Sequence, residues 1–244
     1  MAVRSVAVAV AAFALLTGCS SPPPTTGPPP IGAVGDCYAV GGKAVDCTEE
    51  HVAESVFVAA ETPPRSAVAI APCQTAQARY LGQDFNTRLD VRLWVAADES
   101  WFRCDLVLRT STLANSSLEP LMMSLRGAFR IAVPVKLQAC LDEAYDSATD
   151  QPYAACTSPH KSRQLIIAPA IGTVKEPFPA DVADRAGRAC NASAAAERQL
   201  VGQLRVEAFY PNTAAAWATG ERGANCWVTA INGLLPAVEP TARS

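Results

Sequence analysis

Lysine and histidine are scarce in this chain: four lysines and two histidines stand among 244 residues, against sixteen arginines. Charged residues make up 18% and the net charge is -3, with no block of one sign. That excludes the basic footprint of a nucleic-acid-binding surface. Beyond Leu16 no apolar run reaches the roughly 20 residues that a membrane-spanning helix needs. The 50% of apolar residues must therefore build a core, and the chain is long enough for one or two domains. Motifs that carry chemistry are missing as well. There is no Gly-x-Ser-x-Gly, no His-Glu-x-x-His and no glycine loop to cradle a phosphate. No cofactor, metal or catalytic residue is expected on these grounds.

What is present begins at the first residues. A single charge, Arg4, precedes an unbroken small and apolar run from Ser5 to Leu16. A charged start, a short apolar stretch and small residues at a cut describe a secretory signal. The run closes on Leu16-Thr17-Gly18-Cys19, which resembles the lipobox of bacterial lipoprotein precursors. The resemblance implies cleavage after Gly18, lipid on the Cys19 sulfur and acylation (palmitate or a similar chain) of the new amine. Several acyl chains together hold a protein firmly to a membrane. Residues 1–18 are then the signal peptide and 19–31 the lipidated cysteine with a tether. Ser20 to Pro30 contains six prolines and favours extended polyproline II, reaching about 30 Å at about 3.1 Å per residue. The expected location is the extracytoplasmic face of the cell membrane.

Past Cys19, eight cysteines fall into two quartets: Cys37, Cys47, Cys73, Cys104, then Cys140, Cys156, Cys190, Cys226. In each quartet the second cysteine opens Cys-x3-His, giving His51 and His160. A β-rich run follows each histidine, Ser55–Val58 and Gln164–Ile167. The third cysteine lies in a helical pattern that ends at Gly82 or Gly202, and the fourth follows a tryptophan, Trp101 or Trp217. Self-similarity in this order reads as an internal repeat, residues 32–127 and 128–236, with a tail at 237–244. Within the first copy, Val34–Val40 and Lys43–Cys47 flank Gly41-Gly42, a hairpin signal. A helix is expected from about Pro72 to Gly82, burying Cys73, Ala76 and Tyr80 on one face. Leu89–Val95 alternates as a half-exposed strand. The second copy predicts one long helix over Ala180–Val201 and a strand over Leu204–Phe209. Leu118–Leu125, in the joining segment, reads as a short packed helix. The fold class is α+β: two tandem disulfide-stapled repeats, each a small antiparallel sheet with one helix.

An even set of cysteines in an exported chain is first of all a disulfide framework. Requiring the same pairing within both copies leaves three arrangements. The favoured one joins first to second and third to fourth: Cys37–Cys47 as a hairpin staple, Cys73–Cys104 as a tie from helix to strand, then Cys140–Cys156 and Cys190–Cys226. The competing reading of Cys-x3-His is half of a zinc site, disfavoured by an oxidising compartment and the lack of a second close ligand pair. His51 with Glu54, at i and i+3, is the one pair resembling an oriented base. The second copy has Lys161 and Arg163 there. The plainer reading of both histidines is a turn-forming imidazole bonded to backbone, and of both tryptophans a place in the core.

Val34-Gly-Asp-Cys37-Tyr38, Val45-Asp-Cys47-x3-His51-x2-Glu54, Cys73, Leu81-Gly82, Trp101 and Cys104 resemble the septum-formation domain of actinobacterial envelope proteins. The second copy resembles it through Cys156-Thr-Ser-Pro-His160, Cys190, Val201-Gly202, Trp217, Gly220-Glu-Arg222 and Cys226-Trp227. Glu50 stands where the family usually has proline. The second copy lacks Gly-Asp before Cys140 and the acid after His160. The resemblance implies a link to septum formation and cell division, and brings no catalytic mechanism. Two readings follow. One is a non-catalytic binding or scaffold lipoprotein, whose partner is an envelope or division protein or a cell-wall component, with His51, Glu54, His160, Trp101 and Trp217 as possible contacts. The other is a cell-wall-modifying enzyme using His51 and nearby acids. The first is the expectation.

Overall fold

The computed structural model describes residues 31–60, 70–113 and 117–239. The signal segment, Cys19, the tether and the last five residues lie outside the described residues.

The first repeat runs β1 (Cys37–Tyr38), β2 (Ala44–Val45), β3 (Ala53–Ala59), α1 (Ala71–Leu81), β4 (Leu89–Val95), β5 (Phe102–Arg109) and β6 (Leu118–Glu119). Its sheet is antiparallel in the order β2-β1-β3-β5-β4, with β6 on β5. The second repeat runs β7 (Cys140–Leu141), β8 (Ser162–Gln164), α2 (Val182–Ser193), α3 (Ala195–Val201), β9 (Leu204–Phe209), α4 (Ala214–Ala218) and β10 (Asn225–Ala230). Its order is β7-β8-β10-β9, also antiparallel. The two sheets share both strand order and register. Cys37, Glu54, Leu106 and Val91 form one row across the first. Cys140, Arg163, Val228 and Val206 form the matching row across the second.

Local chemistry accounts for several elements as expected. Pro72 sits in the first turn of α1, where a missing N–H costs nothing, and Gly82 closes it at φ 102°, a conformation that favours glycine. Gly41 and Gly42, at φ 87° and 82°, turn the β1–β2 hairpin. The bridges join first to second and third to fourth cysteine in each repeat: Cys37–Cys47, Cys73–Cys104, Cys140–Cys156 and Cys190–Cys226. Each ties its helix to the strand next to the centre of the sheet, or staples the opening loop to it.

Three expectations are corrected. Leu118–Leu125 is not a helix: after β6, Pro120 removes an N–H and restricts the residue before it, and Leu121 exchanges both backbone bonds with His51. The strand expected over Gln164–Ile167 ends at Gln164, because the carbonyls of Leu165 and Ile166 turn away to accept from Asn86 of the first repeat. The long helix is broken at Ala194, where the Asn191 carbonyl accepts from Arg198 Nη1 at 2.8 Å. With α4 after β9, the second repeat has three short helices beside its sheet.

The main core gathers α1 and the first sheet around Val56, Leu81, Phe102, Leu106, Leu108, Leu121, Leu125 and Phe129. Leu137 and Ile166 of the second repeat pack into that same cluster. Arg88 completes the junction, with its N–H on the Leu137 carbonyl and its Nε on that of Lys136. The second repeat has its own apolar clusters around Ile171, Val182, Cys190 and Trp217, and around Val228 and Leu235.

Candidate functional site

The two histidines are placed by the same local device. His51 and His160 are buried, at 0% and 1% exposure. Each bridges, backbone to backbone, a buried leucine late in its repeat, Leu121 or Leu235. Each sets Nδ1 at 2.8 Å from the carbonyl two residues before it, Glu49 or Ser158. Both Nε2 atoms are buried without a hydrogen-bond partner. Such an imidazole closes a turn and locks a leucine strap over the sheet. Burial holds His160 below the ordinary imidazole range, opposed by its bond to the Ser158 carbonyl.

Glu54 does not orient His51. It is fully buried, and its carboxylate accepts from the Tyr80 hydroxyl, from Ser124 Oγ at 2.6 Å and from the Leu125 N–H at 2.6 Å. It therefore clamps α1 and the segment after β6 onto β3. Burial, then the bond to Glu54, pushes the Tyr80 phenol up to about 12. The Cys37 and Cys47 sulfurs and a Glu54 oxygen lie within 4.8 Å of one another. The sulfurs are bonded to each other, and a disulfide offers a metal no thiolate, so this donor set could hold an ion only after reduction.

The tryptophans are not equivalents. Trp217 lies in α4, buried, donating Nε1 to the Glu176 carbonyl at 2.7 Å and lying under the Arg222 guanidinium at 3.9 Å. A Cβ on Gly172 would come within 2.6 Å of its ring, so glycine there admits the indole. Trp101 is half-buried on the turn before β5, where its carbonyl accepts from Ala96. The structure thus brings none of His51, Glu54, His160, Trp101 and Trp217 into one site.

What residue reading missed lies in two places. One is the pair Arg103 and Asp105, buried on either side of Cys104 and joined at 2.7 and 2.8 Å. Tyr38 lies under the guanidinium at 3.8 Å. Burial pushes the Asp105 carboxyl up, while Arg103 pulls it down. The signal was available: opposite charges at i and i+2 on an apolar strand share a face. The other is a pair of clefts that share Gln138 in their lining, one at the junction of the repeats and one within the second repeat and its tail. The first, about 300 Å³, is lined by Arg88, Glu119, Lys136 and Tyr153 among others. The second, about 440 Å³, has the paired Arg163 and Glu197 beside Leu165, Ile166, Ile167 and Val238. Ile167 is 66% exposed at its mouth. Neither cleft could be seen in the sequence, since each draws on segments far apart in the chain.

The doubled, disulfide-stapled sheet with its two buried histidines defines a tandem-repeat α+β protein. The septum-formation family model matches residues 34–226 in one stretch, and the chain belongs to that family. The match takes in most of both repeats, ending at Cys226 early in β10. No curated protein and no solved structure matches the chain.

Proposed function

We propose that this is an exported, lipid-anchored envelope protein that serves septum formation by binding a division protein or cell-wall component, without catalysis. One observation carries the reading: the pair an enzyme would need is dismantled by its own hydrogen bonds. His51 spends Nδ1 on the Glu49 carbonyl while Glu54 is held by Tyr80, Ser124 and Leu125. A general base must reach the proton it abstracts, and both histidines are buried. The second cleft supports the binding reading further, since an apolar mouth over a charged pair is a usual form for a binding site.

Anchoring and binding are tested together. Cys19→Ser should release the protein from the membrane fraction or leave it uncleaved. In cells carrying the natural chain, crosslinking should retain a division or wall component that Ile167→Asp reduces at least tenfold. Hydrolysis of peptidoglycan by the purified chain, lost in His51→Ala and Glu54→Gln, would overturn the binding reading.

A further inference from the structure

We propose that β9 is a self-association edge, at which two copies of this chain join their second sheets antiparallel about Val206. β9 is the last strand of its sheet, and among the described residues no strand or bridge pairs with its outer side. The ladder parity shows which groups face outward. Gln203 accepts from the Ile231 N–H, and antiparallel pairs alternate between bonded and non-bonded. Leu204, Val206 and Ala208, opposite Ala230, Val228 and Cys226, are then the non-bonded positions, so their N–H and C=O groups point to the open edge.

The equivalent edge in the first repeat shows what a closed one looks like. By register, Val91 matches Val206, Asp90 matches Arg205 and Thr87 matches Gly202. On β4 the outward N–H of Leu89 is taken by Thr87 Oγ1 at 3.2 Å, and that of Val91 by Asp90 Oδ1 at 2.9 Å. Gly202 and Arg205 have no side-chain acceptor to do the same. Unpaired edges are usually blunted; one copy has kept the caps and the other has none.

Charge selects the occupant. Around Val206 the strand reads Leu204-Arg205-Val206-Glu207-Ala208. Placed antiparallel to itself with Val206 opposite Val206, it sets Leu204 opposite Ala208 and Arg205 opposite Glu207, on both sides of the axis. The bonded pairs exchange outward N–H and C=O groups, while the charged residues fall in the close, non-bonded pairs at about 4.5 Å between Cα atoms. Within one chain Arg205 already meets Glu207 at 3.0 Å, with side chains 51% and 32% exposed, so both charges are accessible for a second partner. The opposite pairing, β9 against β4 of another copy, sets Asp90 against Glu207 and Arg92 against Arg205, like on like. The pattern therefore favours β9 on β9.

The test is charge reversal in the full chain, purified with Cys19→Ser to remove the lipid, with mass followed by light scattering and sedimentation. The natural edge should give a dimer. Arg205→Glu and Glu207→Arg should each weaken association by on the order of 30-fold, from lost attraction and added repulsion at two symmetric pairs. The two single variants mixed should associate with each other, and the double variant Arg205→Glu/Glu207→Arg should regain the homodimer. Circular dichroism and intact disulfides confirm that each variant is folded. A monomeric natural chain at high concentration overturns the proposal, as does a dimer indifferent to the single reversals. Neither result touches the anchoring or partner reading, which the membrane and crosslinking assays decide separately.

Discussion

Glu54 and Arg163 occupy the same place in the two sheets, each directly opposite the first cysteine of its repeat, and they carry opposite charge. Each is satisfied by its own surroundings: Glu54 by Tyr80, Ser124 and Leu125, Arg163 by Glu197 on α3. One scaffold has thus tolerated charge inversion at a central position, because the helix above the sheet supplied a matching group each time.

Removing the Glu54 carboxylate should expose the cost of that arrangement. Glu54→Ala leaves the Tyr80 hydroxyl and the Leu125 N–H buried without partners, and stability should fall by about 3 kcal/mol or more. Glu54→Gln keeps acceptor capacity and should lose less. Urea unfolding of both variants measures the difference. Equal losses would mean that packing, not hydrogen bonding, holds the site.

A second comparison is built into the molecule. Arg103, Asp105 and Tyr38 of the first repeat correspond by register to Asn225, Trp227 and Leu141 of the second. The buried ion pair over a tyrosine is replaced by Trp227 stacked on Tyr145, centroids 4.3 Å apart. Breaking a buried pair from one side leaves an uncompensated charge and costs about 3 to 5 kcal/mol, whereas apolar replacement of both partners is often neutral. Arg103→Met and Asp105→Leu should each destabilise by about that amount. The double variant should lose much less than the sum, which a double-mutant cycle reads directly.

The repeat, the cysteine pairing and the hairpin, helix and β4 of the first sheet were legible because they rest on local order: cysteine spacing, the Gly41-Gly42 turn, and the alternation from Leu89 to Val95. The histidines were legible as turn residues for the same reason, since an imidazole bonded to a carbonyl two residues away is a local event. The junction of the repeats was not. Ile166 reads as strand from its β-branched neighbours, yet Asn86 draws its carbonyl into another repeat. Leu118–Leu125 reads as helix by apolar content, yet Pro120 and the bridge from Leu121 to His51 override it. Long-range partners decide such segments, and a window along the chain does not contain them.

Acid should weaken the protein through His160. Burial depresses this imidazole below its ordinary value of about 6.5. The unfolded chain therefore binds the proton first as pH falls. The stabilising difference is complete above about pH 6.5 and is lost as the pH falls from there toward the folded value, at up to about 1.4 kcal/mol per pH unit. Urea midpoints measured from pH 7.5 to 5 should decline, and His160→Asn, which can still donate to the Ser158 carbonyl, should flatten part of that decline. An unchanged slope in that variant would assign the acid sensitivity to other groups.

The bridges should differ in worth according to the loops they close. Cys37–Cys47 spans a separation of 10 residues and Cys190–Cys226 one of 36. Constraint of the unfolded chain grows with the logarithm of loop length, giving about 3 kcal/mol for the first and about 4 kcal/mol for the second. The longer bridge also fixes α2 to the central strand β10, so its loss frees the helix that supports Arg163 through α3. Replacing Cys190 and Cys226 with alanine should lower the unfolding free energy by about 1 kcal/mol more than replacing Cys37 and Cys47. It should also reduce protection of β9 amides in hydrogen exchange, because α2 and α3 lie against that strand. If the short bridge proves the costlier to lose, the hairpin staple acts through the native state, by holding the turn that carries His51 and leads to Glu54 on β3, and not through the unfolded chain.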